Sequence, residues 1–357
     1  MGNLSFFRGK RLFLTGHTGF KGSWLCRVLI GAGAEVTGYS LPAPAGADLF
    51  SLAGLEGRMT SILGDIRDFA RLKESFDRAR PEIVLHLAAQ PIVRESYRNP
   101  RCTYETNVMG TVNLLECVRL SSCVRSVLNV TTDKVYRNVA GRACREQDPL
   151  DGFDPYSNSK SCSELATRSY RNSFFADGVP PVSTARAGNV IGGGDFALDR
   201  IIPDCVRAQR EGRVIGVRRP FSVRPYQHVL EPVMAYLMIA RAQWENPALA
   251  GGYNVGPDEG DCVTTGELAE LFCRCWGEGA RWENRAEKNA PHEAECLRLD
   301  CTKIKKTFGW SPRWHIAEAV EKTCAWSKVW LAGGDIPAEM DREIEDYGAA
   351  PEGAPQA

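Results

Sequence analysis

The chain has 357 residues, and 44 Lys plus Arg balance 44 Asp plus Glu. Such neutrality excludes the basic surface of a nucleic-acid or anionic-membrane binder, while the length suffices for one large α/β domain or two lobes with their own cores. Thirteen cysteines with no Cys-x-x-Cys spacing and no secretory signal point to reduced thiols in a cytoplasmic protein, with no metal site, and no apolar run is long enough to cross a bilayer.

Residues 11–15 read as a buried strand that runs into Gly16-His17-Thr18-Gly19-Phe20-Lys21-Gly22 and then an apolar helical pattern at 24–30. Strand, glycine turn and helix are what a dinucleotide site requires: glycines admit a pyrophosphate to the backbone, and the helix N-terminus offers free N–H groups. The spacing is Gly-x-x-Gly-x-x-Gly, and a plain tight turn is the competing reading. A second strand is expected at 35–40. An acid should follow it to hold the adenosine ribose of NAD, but the chain gives Tyr39-Ser40-Leu41-Pro42, no acid before Asp48 and no Arg for a 2′-phosphate. Weak NAD binding is the expectation. A third strand at 59–63 leads to Asp65, placed to meet the adenine, and to Asp68, a helix N-cap. A fourth at 82–87 leads into Ala88-Ala89-Gln90, small enough at the alanines for a cofactor to lie against the backbone; His86 reads as packed, not as a ligand. A helix at about 104–118 and a strand at 126–130 complete an alternation that predicts an α/β fold, a Rossmann-type doubly wound parallel sheet.

The last strand leads to Thr131-Thr132-Asp133-Lys134, where a hydroxyl, a carboxylate and an amine stand at a carboxyl end. A simple Asx or Thr turn is the alternative. Tyr156 and Lys160 lie four apart, hence on one helix face, and an ammonium near a phenol lowers its pKa from about 10 towards that of a usable base. Further on, Gly192-Gly193-Gly194-Asp195 reads as a flexible loop and 199–212 as a helix. Arg218, Arg219 and Arg224 read as a basic cluster without acidic neighbours, suited to a diphosphate. Thr264-Thr265-Gly266-Glu267 is a capping box for a helix at 268–276, another helix is expected at 316–330, and 348–357 is Gly-, Ala- and Pro-rich enough for disorder. His228, His292 and His315 show no metal-ligand spacing.

Together, Gly16-x-x-Gly19-x-x-Gly22, Thr132 and Tyr156-x-x-x-Lys160 resemble the extended short-chain dehydrogenase/reductase family. His86-Leu87-Ala88-Ala89-Gln90-Pro91, Asp154-Pro155-Tyr156-Ser157-Asn158-Ser159-Lys160, Arg186-Ala187-Gly188-Asn189 and Arg224-Pro225-Tyr226-Gln227-His228-Val229 make it similar to the nucleotide-sugar 4,6-dehydratases of that family, over about residues 8–345. Lys134 distinguishes the chain from most of them, which carry Asp-Glu where it carries Asp-Lys. The resemblance implies an NAD-binding Rossmann lobe at 1–190, to which the chain returns around 226–256, a smaller α/β sugar-nucleotide lobe at 191–345, a disordered tail at 346–357, and a homodimer or dimer of dimers. It implies a lyase that turns CDP-D-glucose into CDP-4-keto-6-deoxy-D-glucose for deoxysugar supply to O-antigen or other polysaccharide. Thr132, Asp133, Lys134, Tyr156 and Lys160 would be catalytic. Gly16, Thr18, Gly19, Phe20, Lys21, Gly22, Asp65, Ile66, Leu87, Ala88, Ala89, Gln90, Tyr156 and Lys160 would hold NAD, and Gln90, Asn189 and Arg224 the substrate. Lys134 is then either the carbon-5 base or a cation that stabilises the enolate. Two rivals remain: a nucleotide-sugar 4-epimerase, which has no use for Asp133 and Lys134 as an acid–base pair, and a non-catalytic NAD-binding regulatory protein, which would tolerate loss of the Thr132, Tyr156 and Lys160 set that is intact here.

Overall fold

The six strands β1 (Arg11–Thr15), β2 (Glu35–Ser40), β3 (Thr60–Leu63), β4 (Ile83–His86), β5 (Ser126–Thr132) and β6 (Val182–Ala187), with an edge strand Gly252–Val255, form one parallel sheet. Its order is Gly252–Val255, β6, β5, β4, β1, β2, β3. This is a computed structural model, and it describes residues 4–43, 48–137, 142–175, 179–277, 279–286 and 297–350. Strand order reverses between β1 and β4, so the carboxyl ends of these two strands open the crevice where such sheets bind ligands. The five expected strands, β1 to β5, are all present, with β5 running on to Thr132, and β6 joins them unpredicted. The edge strand was not expected, nor was helix Leu230–Glu245, which leads to it. That helix buries residues around most of its circumference, from Leu230 and Val233 to Tyr236 and Ile239, and so lacks an amphipathic stripe.

Three other expectations need correction. The helix expected at 104–118 is broken into Pro100–Tyr104, a π-turn at Glu105–Met109 and Gly110–Arg119. The extra residue turns Asn107 inward, where its amide accepts from Gln90 N at 2.8 Å and donates to Gln90 O at 3.1 Å and Ser159 Oγ at 2.9 Å. The glycine loop at 192–194 is buried, not flexible. A Cβ on Gly193 would stand 2.0 Å from Trp326 Cγ, and one on Gly194 2.4 Å from Leu49 Cδ1. These glycines serve close packing, and Gly193→Ala should lower stability by roughly 1–3 kcal/mol, read from the urea midpoint. Finally, helix Ile336–Ala349 continues past the expected start of the tail at 346, held by Tyr347, whose hydroxyl donates to Glu231 Oε2 at 2.8 Å. Residues 351–357 and His292 lie outside the described residues.

A second core gathers beside the sheet, where Ile202, Ile215, Leu268, Phe272 and Val320 pack between helices Ile201–Arg210, Thr265–Trp276 and Ile316–Leu331. The capping box forms as expected, with the Thr264 hydroxyl and Glu267 carboxylate each meeting the other's backbone N–H. Among the described residues no helix is long and apolar enough to cross a membrane, and no cluster of His, Cys, Asp and Glu could hold a metal ion.

Candidate active site

The glycine turn after β1 shapes the crevice. Gly16 has φ +79, and a Cβ there would lie 2.8 Å from Ala88 N; a Cβ on Gly22 would lie 2.1 Å from Gly16 O. Glycine is required once by left-handed backbone and once by close approach. Gly19 precedes helix Phe20–Gly31 with no side-chain cap, which leaves first-turn N–H groups for an anion. The diphosphate of a dinucleotide fits this bare helix end. Beyond it, Ser40 Oγ lies 2.8 Å from Thr18 Oγ1, which donates to the Leu41 carbonyl. A hydroxyl pair therefore stands where an acid would grip the adenosine ribose. Asp65 is clamped by Arg67 at 2.6 Å, and this bond holds its carboxyl below the ordinary carboxylate range. Ile66 packs over Gly110.

Strand β5 is buried along its length, and at its end the Thr132 hydroxyl donates to Asp133 Oδ1 at 2.9 Å. Asp133 Oδ2 is buried without a hydrogen-bond partner. An unmet buried carboxylate oxygen costs free energy, so it marks a point that a ligand can complete. Lys134 Nζ lies 3.4 Å from Asn189 Oδ1 and 3.7 Å from Asp133 Oδ1. Helix Pro155–Phe174 starts with Pro155 and is capped by Asp154, which accepts from Ser157 N. Its inward face carries Tyr156 and Lys160. Thr132, Asp133, Lys134, Tyr156 and Lys160 all line one cavity of about 320 Å³, together with Phe20, Lys21, Leu87 and Ala89.

The Tyr156–Lys160 pair departs from expectation. Lys160 Nζ donates to the Val130 carbonyl at 3.1 Å. Burial pushes the Tyr156 phenol up to about 12, against a smaller downward pull from the Thr132 hydroxyl. Burial likewise pushes Lys160 down to about 8, partly offset by the Glu164 carboxylate. The phenol is therefore protonated near neutrality in the chain by itself.

Glu164, one turn beyond Lys160, escaped the sequence reading. It accepts from Arg186 Nε at 3.0 Å and Nη2 at 2.8 Å, and from Thr131 and Thr184 hydroxyls at 2.5 and 2.8 Å. Arg186 also donates to Tyr136 Oη at 2.7 Å, and Tyr136 to Asn254 Oδ1 at 2.6 Å. This buried network ties helix Pro155–Phe174, β5, β6 and the edge strand together behind Lys160.

The same cavity is also lined by Asn189, beside Lys134, and by Arg224, Arg94, Arg200, Arg218 and Arg219. Arg218 is not free of acids: it pairs with Asp199 and, at 3.4 Å, with Asp204. Arg200 pairs with Asp195 at 2.9 Å. Gln90 does not line the cavity, because its amide is engaged by Ile92 and by Thr103 Oγ1 at 2.9 Å. Arg200 carried no signal in the sequence beyond its place at a helix start. His228 is buried against Glu343 at 3.4 Å, and His315 bonds Asp261 at 2.8 Å.

Residues 13–323 match the family model described as GDP-mannose 4,6 dehydratase. The chain is 46% identical to a CDP-glucose 4,6-dehydratase of Salmonella typhimurium, over 97% of this chain and 98% of that one. It is 30% identical to a dTDP-glucose 4,6-dehydratase of Streptomyces antibioticus, over 88% and 91%. Its fold is similar to that of a dTDP-glucose 4,6-dehydratase from Streptomyces venezuelae crystallised with NAD, with TM-score 0.79, 24% identity, and coverage of 91% of this chain and 99% of the other.

Proposed function

We propose, because the chain belongs to the GDP-mannose 4,6 dehydratase family and carries the cavity just described, that it is an NAD-dependent lyase converting CDP-D-glucose to CDP-4-keto-6-deoxy-D-glucose. The observation that carries this reading is the convergence of Thr132, Asp133, Lys134, Tyr156 and Lys160 on one cavity that Asn189 and Arg224 also line. When bound, NAD supplies the hydride acceptor for carbon 4, the hydride donor for carbon 6 and, while oxidised, a positive ring charge. Tyr156 takes the proton from the carbon-4 hydroxyl, and Thr132 hydrogen-bonds that hydroxyl. Burial alone disfavours the phenolate, so Lys160 and the ring charge must offset it. The new ketone acidifies carbon 5. Lys134, as the neutral amine, takes that proton, and Asp133, as the protonated acid, gives one to the hydroxyl leaving carbon 6. Water departs across carbons 5 and 6, and no net oxidation results. The bare first turn of helix Phe20–Gly31 supports a diphosphate-binding role for Gly16, Gly19 and Gly22; Asn189 and Arg224 are assigned to the substrate diphosphate.

The spacing of 3.7 Å between Lys134 and Asp133 in the cavity favours dehydration over 4-epimerisation, which needs no such pair. Lys134→Met should abolish solvent-deuterium exchange at carbon 5 while carbon-4 oxidation persists; retained exchange would leave Lys134 only a charge-stabilising role. Incubation with NAD and a panel of CDP-, UDP-, dTDP- and GDP-glucose tests the whole reading. The 4-keto product, seen by alkaline absorbance, should come fastest from CDP-glucose.

The same reading takes residues 1–190 with 226–256 as the cofactor lobe and 191–345 as the sugar-nucleotide lobe, which the edge strand Gly252–Val255 and the second core support. It includes a homodimer, supported by exposed Tyr97, Met109 and Leu165 on neighbouring helices, and a cytoplasmic place in deoxysugar supply for polysaccharide.

A further inference from the structure

Lys21 is the second residue of helix Phe20–Gly31, where the helix dipole disfavours a cation. Its Nζ sits 5.9 Å from the centroid of the Tyr236 ring, and its side chain lines the same cavity as Asp133, Tyr156 and Lys160. Among the described residues it has no hydrogen bond or ion pair to protein. The charged groups that face it come from several elements: Lys160 on the catalytic helix, Arg200 ahead of helix Ile201–Arg210, Asp133 after β5, and Asp195 in the glycine loop. Both acids already have partners. Asp195 is held by Arg200 at 2.9 Å, and Asp133 accepts from the Thr132 hydroxyl at 2.9 Å. Tyr236, on helix Leu230–Glu245, presents a hydroxyl that is buried without a partner. Burial pushes Lys21 down to about 7, and Lys160 and Arg200 push the same way.

We propose that Lys21 is a positioning charge that tilts the bound nicotinamide dinucleotide towards its reduced form. The proposal rests on the dehydratase reading at one point. If Tyr156 takes the proton from the hydroxyl on the carbon that gives up the hydride, the accepting ring lies within a few ångströms of the phenol, hence in the cavity that Lys21 lines. The oxidised ring is a cation and the reduced ring is neutral. An ammonium without a counter-ion repels the first and is indifferent to the second. No further reactant is needed, since the two electrons leaving carbon 4 as hydride return to carbon 6.

The test is the ratio of dissociation constants, NAD over NADH, for the full chain freed of nucleotide. The ratio cancels diphosphate and adenosine contacts, which both forms share. At pH 6.5, Lys21→Met should lower it roughly threefold, because NAD can bind the fraction of molecules in which Lys21 is already neutral, while Lys21→Arg keeps it high. In the unaltered protein the ratio should fall as pH rises through 7, where Lys21 loses its proton; Lys21→Arg should lack that step and keep only the one near 8 from Lys160. Thermal melting shows whether the variants fold. An unchanged ratio in folded Lys21→Met overturns the proposal. Should that variant not fold, a step at 7 that survives in Lys21→Arg overturns it instead. Failure of the dehydratase reading appears separately, as absence of 4-keto product from the unaltered protein.

Discussion

Tyr156→Phe should lower kcat by roughly 10³-fold, within the usual range for losing a general base, while thermal stability and NAD binding stay close to those of the parent. The phenol ring keeps its packing; what goes is the oxygen that accepts the carbon-4 proton. The size of the effect follows from the site's composition. Thr132 can hydrogen-bond the substrate hydroxyl, but its alcohol is too weak a base to replace a phenolate. Lys160 donates to Val130 O at 3.1 Å, so under the proposed mechanism it serves as a charge near the phenol and not as a replacement base. Because burial raises Tyr156 to about 12, its activity depends on neighbouring positive charge, so Lys160→Met should show a similar loss together with a shift of the pH–rate profile to the alkaline side. Product formation from CDP-glucose, followed across pH, checks both.

Arg186→Met should destabilise the fold by about 3–5 kcal/mol, because it strands the Glu164 carboxylate in a buried site. Arg186 supplies two of the four hydrogen bonds to that carboxylate. Burial would raise Glu164, but the Arg186 guanidinium outweighs it and, with those bonds, holds the carboxyl below its ordinary 4.5. A depressed carboxylate contributes stability that is complete above its unfolded pKa and fades as pH falls. Urea unfolding at pH 7 should therefore show the full loss, and the gap between parent and variant should narrow towards pH 4. The double change Glu164→Gln with Arg186→Met should recover much of it, since no buried charge is then left alone.

The cofactor half of the site was legible because its constraints are local. Gly16 and Gly22 answer to backbone geometry within one turn, and β1 and β4 are short, largely apolar runs bounded by turn residues. The Tyr156–Lys160 spacing was telling only beside the glycine turn upstream and Thr132, and its electrostatics were not legible. Whether Lys160 reaches the phenol or the Val130 carbonyl depends on packing between a helix and β5, which spacing does not specify. The glycine run at 192–194 misled for a related reason. Glycine marks either freedom or close contact, and Trp326, which decides between them, lies more than a hundred residues away. Arg218 was read as free of acids because Asp199 and Asp204 come near it only through the tertiary fold. Glu164 and Arg186 were invisible as a pair, because one sits on the crossover helix and the other on the next strand, and only their packing brings them together.

The central claim is that one hexose passes a hydride from carbon 4 to carbon 6 within a single cavity. CDP-glucose carrying deuterium at carbon 4, turned over with NAD, measures this directly by mass spectrometry and NMR of the 4-keto product. Deuterium in the methyl group at carbon 6 is the expected result. A product that keeps deuterium at carbon 4 as the other epimer, or no product from any glucose nucleotide, would contradict it.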